Sequence, residues 1–190
     1  MRIFGIDPGS LCTGFGCVES DGSRHRLVCC GGIKAPARAA FPDRLHHIHS
    51  ALVEILAECR PDAVAVESLF HAVHARSALQ LGHARGVALL AASQAGLVVT
   101  EYPPAEVKRA VVGYGRAEKH QVQHMVTLLL GLAAPPEPFD ASDALAVAIC
   151  HVHTSGLANG AVVPEADPLP RGTPRPPRSW RDYKGPHLVR

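Results

Sequence analysis

Asp7, Glu67, Asp140 and Asp143 are the side chains whose type and placement point most directly to chemistry. Asp7 closes the apolar run RIFGID, Glu67 closes AVAVE, and the other two lie in FDASDALAVAIC. An acid at the carboxyl end of a buried strand sits at the usual ligand edge of an α/β sheet. The i, i+3 spacing of Asp140 and Asp143 sets both on one side of a helix. Carboxylates brought into one cleft repel unless cations lie between them, and hard oxygen donors suit Mg²⁺ or Mn²⁺. Two Mg²⁺ ions about 3.5 to 4 Å apart would serve phosphodiester cleavage. In that arrangement Asp7 bridges, with Glu67 on one side and the aspartate pair on the other. Each acid also has a plainer reading. Asp7 precedes a Pro-Gly turn, and Asp140 is an expected N-cap whose charge the helix dipole favours. Glu67 is harder to explain structurally, because a carboxylate at strand depth is costly without a partner.

The elements that must position these acids follow from periodicity. RIFGID, GFGCVES and RHRLVCCGGIKA read as three sequential antiparallel strands, with Asp21-Gly22 as the hairpin signal between the second and third. From Pro42 to Cys59, Leu45, Ile48, Leu52, Ile55 and Leu56 recur at helical spacing, and Arg60-Pro61-Asp62 stops the run. AVAVES is a fourth strand, Ala75 to Ala95 a helix rich in small residues, and GLVVTEYPP a fifth strand ended by prolines. Three helices follow, in PAEVKRAVVG, EKHQVQHMVTLLLGL and DASDALAVAICHVH. A meander followed by alternating helices and strands predicts an α/β fold with a mixed five-stranded sheet and helices on both faces.

Charge divides the chain. Residues 159–190 carry six Arg or Lys against three acids, so of the net +2 they hold +3 and residues 1–158 hold −1. The body is not globally basic, and a nucleic-acid surface on it must be a local patch. The tail also holds seven of the sixteen prolines and lacks apolar periodicity. The expected division is a nuclease domain over 1–158 and a disordered Pro/Arg-rich tail over 159–190. The cysteines (Cys12, Cys17, Cys29, Cys30, Cys59, Cys150) form no CxxC pair and follow no apolar signal segment. They read as free, mostly buried thiols of a cytoplasmic protein. Apolar stretches such as GVALLAASQAGLVV are broken before about 20 residues, so no membrane span is expected.

Further candidates surround the acids. Phe70 lies in SLFHAVHARS, a polar, His-rich stretch after a strand, which favours an exposed loop and base stacking over a core position. GYGRAEK sets a glycine-rich turn before a helix start, where backbone N–H groups and Lys119 can hold a phosphate. Lys108, Arg109 and Arg116 fit the same patch or, more plainly, a solvated helix face. Cys150, His151 and His153 lack the second ligand pair of a zinc site.

GIDPGSLCTGFG, AVESLF with HARGVALLAA, EYPPAEVKRAVVGYGRAEKHQVQHMV and DASDALAVAICHVH occur in that order from Met1 to about His153, and together they resemble the RuvC family of Holliday-junction resolvases. The resemblance implies a ribonuclease-H-like fold and a homodimeric endonuclease that nicks two opposed strands of a four-way DNA junction with Mg²⁺. Asp7, Glu67, Asp140 and Asp143 match the family's catalytic acids. Phe70 matches an aromatic position at the junction, and Arg76, Lys108, Arg116 and Lys119 complete the expected DNA-binding set. Partners of the RuvA and RuvB branch-migration type are implied as well. Ser68, His74 and His83 depart from the family pattern at positions expected near the DNA face. Two other classes compete. GIDPGSLCTGFG also resembles the first phosphate loop of actin-like ATPases and sugar kinases, but no second Asp-x-Gly loop follows. A non-catalytic junction-binding scaffold would have to leave the acidic tetrad unused.

Overall fold

A computed structural model describes residues 1–68 and 75–158. Its elements are β1 Arg2–Asp7, β2 Cys12–Ser20, β3 His25–Lys34, α1 Phe41–Cys59, β4 Ala63–Glu67, α2 Ala75–Gln94, β5 Val98–Tyr102, α3 Pro104–Val112, α4 Lys119–Leu129 and α5 Phe139–Ala158. The strands form one sheet in the order β3-β2-β1-β4-β5. The first three pair antiparallel, while β1–β4 and β4–β5 are parallel. This is the mixed sheet expected from the order of elements. Phe70, His74 and the tail over 159–190 lie outside the described residues.

Local chemistry sets the boundaries. Asp21 turns the chain between β2 and β3: its Oδ1 accepts from the Ser23 and Arg24 amides and the Ser23 hydroxyl, and Gly22 takes φ 98°. Helix α1 carries proline in its first turn and ends where Arg60 adopts a left-handed φ of 46°. Helix α4 opens on a capping box in which Glu118 and Gln121 each satisfy the other's free amide. Strand β2 starts at Cys12, ahead of the glycines that open GFGCVES, because its pairing with β3 extends back to Lys34. Asp140 lies inside the first turn of α5 rather than at its cap, since the helix already begins at Phe139.

Side-chain alternation along the strands divides the core. Phe4, Ile6, Val64 and Val66 face α1 and α2, burying Ile48, Leu52, Leu56, Ala88 and Ala91. Ile3 and Ala65 face α5, with Val107 of α3 and Val122 and Val126 of α4 behind it. The residues in phase with Ile3 are Gly5 and Asp7, and the residue in phase with Ala65 is Glu67. Both strand-end acids therefore project to the α5 side.

Helix α5 lies unusually close to the sheet because glycines face it. A Cβ on Gly5 would sit 1.9 Å from the Ala144 carbonyl oxygen, one on Gly14 would sit 2.0 Å from that of Asp140, and one on Gly16 would sit 2.6 Å from the Leu145 side chain. Gly14 pairs with Asp7 and Gly16 with Gly5 across β1–β2, so the gap is continuous. In it α5 buries Ala144 to Cys150 completely. Among the described residues no helix is long and apolar enough to cross a membrane.

Gly5→Ala should push α5 off the sheet, since both clashing groups are backbone. The expected cost is about 1–3 kcal/mol, read as a fall in the midpoint of urea unfolding.

Candidate active site

The parallel register of β1 and β4 pairs Ile6 with Val66, so Asp7 and Glu67 are neighbours at the carboxyl ends of adjacent central strands. Helix α5 crosses above them with Asp140 and Asp143 in its first turns. The fold thus brings together all four acids singled out in the sequence.

Their mutual field is strong. Burial, followed by the charges of Glu67, Asp143 and Asp140, pushes the Asp7 carboxyl up to about 8, with Lys119 offsetting part of the effect. Glu67 is also raised, chiefly by burial and then by Asp143. A hydrogen bond with Asp7 and the charges of Lys119 and Lys108 act the other way. Lys119, at the start of α4, donates to Asp143 Oδ2 at 3.2 Å. It is therefore a counter-charge of the acidic cluster and not merely part of a solvated face. Its own pKa is raised, first by Asp143.

The loop after Asp7 is held by Thr13. Its buried hydroxyl donates to the Gly9 carbonyl at 2.7 Å and accepts from the Gly9 amide at 3.3 Å. A Cβ on Gly9 would lie 1.9 Å from the Cys12 carbonyl oxygen, so the turn closes only with glycine there. Cys12 stands beside Asp140, and burial together with that contact pushes its thiol up to about 11. The Cys12 contact and the glycine seat of α5 have no signature in sequence, because neither residue lies near its partner along the chain.

The remaining candidates divide. Lys108, half-buried on α3, lies near enough to lower Glu67 and lines a cleft of about 310 Å³ with Pro103, Pro104, Ala105 and Gly115. Arg116 is exposed in the α3–α4 connection, and Arg76 is exposed in the first turn of α2. Ser68 directly follows Glu67, its amide donating to the Tyr102 carbonyl. His83 packs edge-on against Phe41 of α1 and belongs to the α1/α2 layer, on the opposite side of the sheet from α5. His151 meets the Tyr102 hydroxyl at 3.0 Å, while His153 meets the Ala110 carbonyl at 3.1 Å and His25 at 3.2 Å. With Cys150 buried, the Cys-His-x-His segment is spent on separate packing contacts.

Among the described residues no three His, Cys, Asp or Glu side chains stand close enough to cage an ion as they are placed. The donor set nevertheless fits a hard divalent cation, since it is all carboxylate, and burial together with the neighbouring acids raises Asp7 as long as no cation lies between them.

The family model described as "Crossover junction endodeoxyribonuclease RuvC" matches residues 3–151. A relative of that description from Koribacter versatilis is 54% identical over 157 residues, covering 82% of this chain and 94% of the relative. Another from Chloroflexus aggregans is 52% identical over 155 residues, with the same coverage. The solved structure of Thermus thermophilus RuvC in complex with a Holliday junction substrate superposes with a TM-score of 0.79 at 37% identity, covering 83% of this chain and 96% of that one.

The raised acids make stability depend on pH. Asp7 holds its proton more tightly folded (about 8) than its ordinary value of 3.8 allows unfolded. Its contribution is thus complete below 3.8 and is lost as pH rises through about 8. Metal-free protein should melt at progressively lower temperature across that window, and Asp7→Asn should flatten the trend. Thermal melts over a pH series check this.

Proposed function

The chain belongs to the RuvC family of crossover junction endodeoxyribonucleases, and from that membership we propose that Asp7, Glu67, Asp140 and Asp143 carry its reaction. It is a structure-selective endodeoxyribonuclease that resolves four-way DNA junctions by paired nicks in recombination and repair. The observation that carries the assignment of the acids is the adjacency of Asp7 and Glu67 at the carboxyl ends of neighbouring parallel strands, beneath the aspartate pair of α5.

The four acids would hold two Mg²⁺ ions, with Mn²⁺ an acceptable substitute. Ions so placed would lower the pKa of the attacking water and stabilise the leaving 3′ oxygen, giving religatable 5′-phosphate and 3′-hydroxyl ends. Lys119 sets a positive charge at the mouth of the site, where a DNA phosphate must approach against carboxylate charge. Lys108, Arg116 and Arg76 extend that cationic surface outward. Phe70, just beyond β4, would stack on an opened base at the crossover. Neither the ATPase nor the scaffold reading is favoured by any feature of the site.

We also propose a homodimer, which would present two such sites to a two-fold symmetric junction. The α1/α2 layer offers a surface for it. Leu79 and Leu90 are 65% and 51% exposed. With Gly82, Gly86, Val87 and Leu45 they line an open apolar groove of about 480 Å³. Cβ atoms on Gly82 and Gly86 would meet nothing within 4 Å, so a second helix can approach closely there. Branch-migration proteins of the RuvA and RuvB type and a cytoplasmic location complete the reading.

Incubation of the full chain with a four-way junction and a linear duplex, with Mg²⁺ or Mn²⁺, tests the assignment. Asp7→Asn, Glu67→Gln, Asp140→Asn and Asp143→Asn should each abolish cleavage while leaving junction binding near normal, or tighter through reduced repulsion of phosphate. A variant that keeps full cleavage removes its residue from the tetrad. Separately, Leu79→Glu with Leu90→Glu should convert dimer to monomer in light scattering while the monomer keeps its melting temperature.

A further inference from the structure

Three of the cysteines converge away from the acids. Cys17 on β2 pairs in register with Cys29 on β3, and the Cys29 sulfur lies 2.8 Å from that of Cys59, the last residue of α1. Cys17 and Cys59 are buried in the core beneath α1 and α2, with Cys29 packed at its edge and partly open to solvent. Two unbonded sulfurs do not normally approach so closely. A disulfide of about 2.05 Å would need each to move by only about 0.4 Å.

We propose that Cys29 and Cys59 form a built-in, peroxide-oxidisable disulfide site that staples the edge strand β3 to the end of α1 without involving the nuclease edge. The location supports the separation. Cys17, Cys29 and Cys59 belong to the core on the α1/α2 face of the sheet, whereas Asp7 and Glu67 share the phase of Ile3 and Ala65 and project to the α5 face, so the thiols and the acids lie on opposite sides of the sheet. The two cysteines are 30 positions apart, and linking them constrains β3, its connection and α1 together in the unfolded chain. β3 is an edge strand, paired on one side only, and gains most from such a tether.

The chemistry balances with a hydroperoxide as oxidant. Cys29, the more open thiol, gives up its proton and its sulfur attacks a peroxide oxygen, breaking the O–O bond to leave a sulfenic acid and water. The Cys59 sulfur then attacks the sulfenic sulfur, forming the S–S bond as the S–O bond breaks and a second water leaves with the Cys59 proton. The two sulfurs together lose two electrons, and the peroxide gains them. A hydrogen bond to Cys17 and burial hold Cys29 well above the usual thiol range, while burial and Cys29 push Cys59 up to about 12. The reaction is accordingly slow at neutral pH and quickens with alkalinity.

The test treats the full chain with hydrogen peroxide under native conditions and maps its peptides without reduction. A linked Cys29–Cys59 peptide lacking two hydrogen masses is expected. It should bring a melting temperature raised by about 5 °C or more, reversed by dithiothreitol, and an unchanged junction-cleavage rate. Cys59→Ser should abolish the link and leave Cys29 as a sulfenic or higher oxide, whereas Cys17→Ser should keep it. The proposal fails if wild-type protein yields no Cys29–Cys59 peptide, or if the loss of two hydrogen masses persists in Cys59→Ser. It also fails if the linked protein has lost cleavage. The wild-type peptide map decides the first point even if a serine variant does not fold.

Discussion

Repulsion among carboxylates held against one face of a sheet is the constraint on which the rest of this structure depends. Asp7 and Glu67 reach that face because they share the phase of Ile3 and Ala65 on two central strands, and α5 delivers Asp143 and Asp140 onto them. Left alone, such a cluster would drive helix and sheet apart. The opposing term is the burial of α5, whose residues from Ala144 to Cys150 are fully enclosed. Apolar burial is worth roughly 25 cal/mol per Å², and a helix gripped along most of its length can hold a few like charges together at one end. The glycines at 5, 14 and 16 make that grip possible, because any side chain there would collide with α5.

The same constraint explains Lys119 and the loop after Asp7. A capping box fixes the start of α4, so the lysine enters from a defined helix end and meets Asp143. Thr13 closes the turn at Gly9, which leaves Asp7 on a rigid strand end rather than a mobile loop. Functional sites commonly break local rules that the rest of a fold obeys, and here the broken rule is that buried charges should be paired. Each acid is positioned by an element whose own stability comes from elsewhere.

Much of this was legible in the chain, for reasons that can be named. The strand-end acids were readable because a continuous apolar run and its terminal carboxylate are adjacent in sequence, and the Asp21–Gly22 hairpin because its hydrogen bonds are local. The aspartate pair was readable from its i, i+3 spacing. The ion pair of Lys119 with Asp143 was not, since its partners are 24 positions apart. The glycine seat was hidden for a related reason: a missing Cβ matters only when the opposing backbone is known. The packing of His83 against Phe41 was likewise not readable, since the two are 42 positions apart in the chain. Helix α2 is built largely of Ala, Gly and Leu, so its sequence hardly marks which side turns inward. Phe70 and His74 fall outside the described residues, and their roles rest on the resemblance.

The two ends of the sheet are physically unlike, and the contrast bears on how such a site is kept. At the amino end of β1, Arg2 and Arg26 pair with Glu19, the chain's amino group donates to the Ser20 carbonyl, and His153 joins His25 to the Ala110 carbonyl. At the carboxyl end the acids repel one another, and Lys119 and Lys108 oppose that repulsion. The acids are held together by the burial of α5, whose residues Ala144 to Cys150 are fully enclosed, against the strands. Cations held by the four acids, as proposed, would relieve that electrostatic strain and so couple metal occupancy to stability.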